Sequence, residues 1–186
     1  MATYVLIHGA GSDSWYWHLV APELKARGHD VLAPDLPCDD DSAGLAEYTK
    51  AVVDSIGTRR DLVLVAQSLA GFTAPLVCQW TAVEPLILVA AVVPLPGESA
   101  GQWWANTGWE TARQAQLARD GRAGSGFDVM ADFFHNVSAE VVAEAFARGE
   151  RKQSATTFSQ PWPLKGWPDV PTRLISQACG WVSMLG

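Results

Sequence analysis

The stretch Asp61-Leu62-Val63-Leu64-Val65-Ala66-Gln67-Ser68-Leu69-Ala70-Gly71-Phe72 constrains the fold of this chain more than any other. Residues 62–65 are continuously apolar and include two β-branched side chains, as expected of a parallel strand covered on both faces. One serine follows, with Ala66 two before it, Ala70 two after it and Gly71 next. A helix then continues through Thr73, Ala74 and Leu76. Strand, sharp turn and helix make the layout of a nucleophile elbow, in which a strained turn lifts a serine Oγ above the sheet. Small neighbours are needed because that turn brings two backbones close together. The usual G-x-S-x-G is here Ala66-Gln67-Ser68-Leu69-Ala70, with alanine at both glycine positions. A serine capping a helix after an ordinary strand would give a similar pattern.

A second stretch narrows the choice. Tyr4-Val5-Leu6-Ile7 reads as a strand, and it ends in His8-Gly9-Ala10-Gly11. A His-Gly-x-Gly turn after the first strand leaves backbone N–H groups free to hold an oxyanion. A Gly-rich strand-to-helix loop can also hold phosphate. The chain lacks the G-x-G-x-x-G and Gly-Lys-Ser/Thr patterns that a nucleotide site needs. The two stretches in this order therefore favour hydrolase chemistry.

The rest of the chain alternates strands and helices. Residues 3–8 form the first strand, 15–27 an amphipathic helix stopped by Gly28, and 29–34 the second strand. Asp39, Asp40 and Asp41 place negative charge before a helix over 43–56, which Gly57 ends. Strand 62–66, helix 69–80 and strand 86–93 follow. Short loops between alternating elements mean a parallel, doubly wound sheet. Residues 97–168 break the pattern. Helices are expected at 111–119, 127–134 and 139–148, and Trp103, Trp104, Trp109 and Trp162 fall in the same region, where tryptophans either line an apolar pocket or pack a core. An insertion at this point belongs over the C-terminal ends of the strands, where an open α/β sheet binds ligands, and reads as a cap. A helical bundle that only completes the core is the alternative. Residues 170–176 read as a fifth strand. The division is thus 1–96 core, 97–168 helical cap, and 169–186 return strand and atypical tail.

On residues 5–11, 31–37 and 62–77, with 161–172 similar to a return from cap to core, the chain resembles the α/β-hydrolase superfamily. Within it, the chain is most similar to the small methylesterase and hydroxynitrile-lyase-like branch. The resemblance implies an α/β core with about five strands present and a helical cap. It implies Ser68 as nucleophile, with the backbone N–H groups of Ala10 and Leu69 as the oxyanion hole. It also implies a carboxylic-ester hydrolase that acts on a small apolar ester through an acyl-enzyme, needs no cofactor and binds no metal. Hydroxynitrile-lyase or haloperoxidase-like chemistry can use the same serine. In the resembled branch the fifth strand leads to a loop with the catalytic Asp, a further strand, a Gly-His loop and a final helix. Residues 177–186 match none of these, so the chain reads as cut short, or shifted in frame, after about residue 173.

The catalytic His and acid are therefore not found. Of four histidines, His8 belongs to the oxyanion turn, His18 to the first helix and His29 to the far end of the sheet, while His135 lies in the cap. Glu98 follows the fourth strand, where some relatives place a carboxylate. Asp35 reads as a loop-ordering residue, and Asp169 falls at the wrong end of the fifth strand. Loss of a triad member costs on the order of 10⁴–10⁶ in turnover. The expected activity of this polypeptide is accordingly impaired, and a catalytically inactive, small-ligand-binding protein is the competing reading.

Composition limits the partners. With 186 residues, 48% of them apolar and 18% charged, the chain is globular, and its net charge of −7 argues against nucleic acid. The longest apolar run is too short to span a bilayer, and no signal peptide is recognised. Cys38, Cys78 and Cys179 are odd in number and widely spaced, which suggests free thiols in a reducing compartment and a cytoplasmic location. An uncovered fifth strand is expected to favour self-association.

Overall fold

The computed structural model describes residues 1–149 and 151–175. In chain order the elements are β1 (Thr3–Ile7), a 3-10 turn (Ser14–Trp17), α1 (Val20–Ala26), β2 (Asp30–Leu32), α2 (Leu45–Ile56), β3 (Leu62–Gln67), α3 (Ala70–Val77) and β4 (Val83–Val89). Then come α4 (Ala100–Asn106), α5 (Trp109–Arg119), α6 (Val129–Phe133), α7 (Ala139–Ala147), α8 (Ala155–Ser159) and β5 (Thr172–Ile175). All five strands are parallel, in the order β2-β1-β3-β4-β5.

The strict alternation of side chains along β3 decides which helix covers which face. Leu62, Leu64 and Ala66 join Val5, Ile7, Leu86 and Leu88 in a core closed by Val52 and Ile56 of α2 and Ala74 and Val77 of α3. Val63 and Val65 point the other way, with Leu6, onto Trp17, Ala21 and Leu24. Both faces of β3 are covered, so its run of apolar residues is continuous. A third cluster seats Leu69, Phe72 and Leu76 of the α3 region on Val92, Ala100 and Trp162. Trp162 is 1% exposed, and its indole N–H donates to the Phe72 carbonyl at 3.1 Å. This tryptophan and Trp167, stacked on it at 6.0 Å, complete the core rather than line an open pocket.

Residues 104–150 form a compact unit of their own, inserted between the two parts of the sheet-bearing unit. Inside it, Arg113 bonds the Asp132 carboxylate at 2.9 Å and the Gly126 carbonyl at 2.6 Å, and lies over the Trp109 ring.

Several element boundaries depart from the sequence expectation. The helix expected over 15–27 is split, because a proline ring at position 22 clashes with a helical carbonyl four residues back, at His18. The acidic run 39–41 does not cap α2. Asp40 instead accepts from the Ser42 amide and hydroxyl, while Glu47 takes the Gly44 amide at 2.8 Å. The helix after Ser68 ends at Val77, and its last residues tighten into i→i−3 bonds from Gln79 and Trp80. The fourth strand begins at Val83 rather than residue 86 and ends at Val89 rather than 93. Pro85 has no N–H for the ladder, and the β3–β4 register slips between Leu62 and Leu64. At Ala90 the backbone turns to φ +43°, and the Val92 amide then reaches back to the Ser68 carbonyl at 3.0 Å. The apolar run 90–93 is therefore a loop folded onto the serine turn. The sequence reading also missed α4 and α8. Ser176 and the atypical tail 177–186, with Cys179, lie outside the described residues.

Candidate active site

Ser68 sits at the C-terminal end of β3, the middle strand, where the chain must leave the sheet and enter α3 within two residues. It does so with φ +50°, a left-handed conformation that costs a side-chain-bearing residue ~1–2 kcal/mol. Three backbone bonds hold it there. Its amide donates to the Val89 carbonyl at 3.3 Å, and its carbonyl accepts from Gly71 at 3.1 Å and Val92 at 3.0 Å. The hydroxyl, by contrast, has no hydrogen-bond partner among the described residues, and the side chain is half-buried. Strain in the backbone and a free hydroxyl at the end of a buried strand are the features of a functional turn.

Three small residues make the turn fit. Ala66 and Ala70 are buried against the core at the two positions where glycine is usual. The close approach falls one residue later. A Cβ on Gly71 would lie 1.9 Å from the Val92 carbonyl oxygen, so only glycine fits there. On the other side, a Cβ on Gly9 would lie 2.9 Å from the Ser68 Cβ and 2.3 Å from Gln67 Oε1. The β1–β3 register, Ile7 opposite Ala66, thus continues outward and sets the His8–Gly11 turn against the serine turn. Neither the Leu69 amide nor the Ala10 amide has a hydrogen-bond partner among the described residues.

His8 is buried and has both ring nitrogens engaged. Nδ1 lies 2.9 Å from the Gly9 carbonyl, and Nε2 accepts from the Leu36 amide at 3.2 Å. This pair of bonds requires the neutral ring with its proton on Nδ1. Burial pushes its pKa below the ordinary 6.5, although the Gly9 bond acts in the opposite direction. The ring is a brace between the first turn and the loop after β2. His18 stacks on Trp15 at 4.0 Å and bonds its carbonyl. His29 packs edge-on against Tyr4 beside the N-terminal ends of β1 and β2, away from Ser68. His135 is exposed between α6 and α7 of the inserted unit.

Two of the three candidate acids are engaged. Glu98 is buried and accepts from the Leu95 amide at 3.0 Å, while its backbone pairs with Trp162. Asp35 accepts from the Ser14 amide at 2.7 Å, and Asp169 is exposed. No group of three His, Cys, Asp or Glu side chains able to hold a metal occurs among the described residues. No helix among them is long and apolar enough to cross a membrane.

A strap missed by the sequence reading lies across this site. Gln153 Oε1 accepts from the Gly11 amide at 3.1 Å, and its NH2 donates to the Tyr48 hydroxyl at 3.0 Å and to Thr157 Oγ1 at 2.9 Å. Arg151 bonds Asp13 through Nε at 3.0 Å and Nη2 at 2.7 Å. Farther along, Ser154 donates to the Ala43 carbonyl, and Gln160 accepts from the Leu45 amide at the start of α2. No local periodicity marks these residues, because their partners outside the segment stand more than a hundred positions away.

Comparison with known proteins agrees with this geometry. The chain is 33% identical to methylesterase 7 of Arabidopsis thaliana over 104 residues, which is 49% of this chain and 40% of that protein. It is 29% identical to methylesterase 3 of the same plant over 126 residues, 61% of this chain and 48% of that protein. The chain thus spans less than half the length of these curated relatives. Among solved structures, an extracellular α/β-hydrolase from a Paenibacillus species superposes with a TM-score of 0.72 at 25% identity, covering 95% of this chain and 77% of that one. That protein is described as sharing structural and functional homology with tobacco salicylic acid binding protein 2. A pyrethroid hydrolase from Sphingobium faniae shares the fold with a TM-score of 0.66 at 20% identity, covering 95% and 88%. A family model matches from residue 4 to residue 183, and the chain belongs to the alpha/beta hydrolase family.

Proposed function

We propose that the site is that of a serine hydrolase acting on a small apolar carboxylic ester, with Ser68 as the nucleophile. The observation that carries the reading is the Ser68 turn: on a left-handed residue at the end of the middle strand, a hydroxyl without a partner among the described residues, with the Leu69 and Ala10 amides likewise unpartnered among them. In this reading the Ser68 Oγ attacks the ester carbonyl, and the Leu69 and Ala10 amides receive the oxyanion that forms. The alcohol leaves with a proton, and water then frees the acyl group from Ser68. The methylesterase relatives support an ester as the substrate class.

The base that takes the Ser68 proton is not assigned to any described residue. His8 is excluded because both of its ring nitrogens already have partners. That same gap favours a second reading, a hydrolase-like protein that binds a small ester or acid without turning it over. Turnover of p-nitrophenyl acetate separates the two. The hydrolase reading predicts saturable release of nitrophenol that Ser68→Ala abolishes. Saturable binding of the ester with no turnover in either protein would leave only the binding reading.

A further inference from the structure

We infer that Gln153 and Arg151 are positioning residues for the proposed oxyanion turn, holding the peptide planes of Gly9–Asp13 in the orientation that aims the Ala10 amide. This rests on the proposed function, because it assigns the turn its purpose.

The Ala10 N–H lies in the peptide plane that contains the Gly9 carbonyl. His8 Nδ1 holds that carbonyl at 2.9 Å, which fixes one edge of the plane. The next plane contains the Gly11 N–H, and Gln153 Oε1 accepts from it at 3.1 Å. The Ala10 Cα is the hinge between the two planes, so its amide direction is set from both sides. Gly11 itself has φ +61° and offers no side chain to restrict the turn. Without an outside acceptor, the second plane would be free to rotate.

Gln153 is built for one orientation. Its NH2 is spent on the Tyr48 hydroxyl, the Thr157 hydroxyl and the Ser154 carbonyl. A flipped amide would set a donor against the Gly11 donor and lose those bonds. The far end of the turn is held separately. Asp13 is mostly buried, one of its oxygens accepts from the Trp15 amide, and Arg151 grips the other. Two charge-assisted contacts on one oxygen, with the Trp15 amide on the other, hold this carboxylate in place. Two residues of one short segment therefore hold both ends of the turn. The contacts of this segment reach β1's exit loop and α2, which are remote in sequence and adjacent in space.

The test compares Gln153→Leu with Gln153→Glu in the full chain, read by 15N-resolved NMR and by p-nitrophenyl acetate turnover. Glutamate keeps an acceptor for the Gly11 amide, whereas leucine removes it. The inference predicts that Gln153→Leu shifts the amide resonances of Gly11, which Gln153 bonds, and of Ala10, whose amide it does not bond. Gln153→Glu returns both toward their original positions. Turnover is predicted to fall in kcat by about 10–100-fold in Gln153→Leu with KM little changed, less than the loss from deleting a whole oxyanion donor. An unmoved Ala10 resonance in a folded Gln153→Leu protein would overturn the inference. So would equal kcat loss in the leucine and glutamate variants. Absence of turnover in the unaltered protein would refute the proposed hydrolase, while the Ala10 resonance still decides whether Gln153 orients the turn.

Discussion

Replacing Gly71 with alanine tests whether the serine turn is held by backbone contact rather than by its own sequence. An added Cβ would stand 1.9 Å from the Val92 carbonyl oxygen, where ordinary contact begins at 3.4 Å. The 90–92 loop must therefore retreat by about 1.5 Å, the difference between those distances. Val92 is bonded through its amide to the Ser68 carbonyl at 3.0 Å, and that bond does not survive such a move. A buried amide left without a partner costs ~1–3 kcal/mol, and forced overpacking adds ~1–3 kcal/mol. The sum is about 4 kcal/mol at mid-range. Gly28→Ala is the control. Its φ is +81°, and nothing lies within 4 Å of the added Cβ, so only backbone strain of ~1 kcal/mol applies. For a chain of this size each kcal/mol lowers Tm by about 2–4 °C. Thermal melts followed by circular dichroism should therefore show Gly71→Ala losing roughly 8–16 °C and Gly28→Ala roughly 2–4 °C. A Gly71→Ala protein that melts no lower than Gly28→Ala would refute the close-contact account of the turn.

Other outcomes follow from the same geometry. Ser68→Gly should be more stable than Ser68→Ala by about 1 kcal/mol in urea unfolding, because only glycine adopts φ +50° without strain. Trp162→Phe keeps most of the ring volume but removes the indole bond to the Phe72 carbonyl, and should cost ~0.5–1.5 kcal/mol by the same measurement. His8 supplies a pH dependence. Its folded pKa lies below 6.5, so under mild acid the unfolded chain binds the proton that the folded chain refuses. Stability from this group is complete above pH 6.5, falls as pH drops below 6.5, and stops falling once the folded ring also protonates. Urea midpoints at about pH 7.5 and 5.5 should show this decline, and His8→Leu should flatten it at a constant cost of ~1–3 kcal/mol for the orphaned Leu36 amide.

The strand-serine-helix turn and the His-Gly-x-Gly turn were legible in the sequence because each is local: an apolar run, a small-residue cluster and a glycine at fixed spacing. The covering of both sheet faces was legible too, since β3 shows no polar residue from Leu62 to Ala66. Three things were not. The end of β4 is set by the Val92–Ser68 bond across the turn, so apolar 90–93 imitates a strand that tertiary contact forbids. The glycine that matters in the serine motif is Gly71, because the carbonyl it meets belongs to a different element. Gln153 and Arg151 carry no motif at all, and their role exists only once residues 9–13 are folded beside them. The tryptophans were ambiguous for a related reason. Trp162 could have faced a ligand, but its indole N–H is used inside the core.

The measurement that bears most directly on the central claim is covalent labelling by a fluorophosphonate, read by intact mass and by peptide mapping. The account predicts a single stoichiometric phosphonyl adduct on Ser68, absent from Ser68→Ala. A folded protein that stays unlabelled, or that carries its adduct on any other residue, would contradict it.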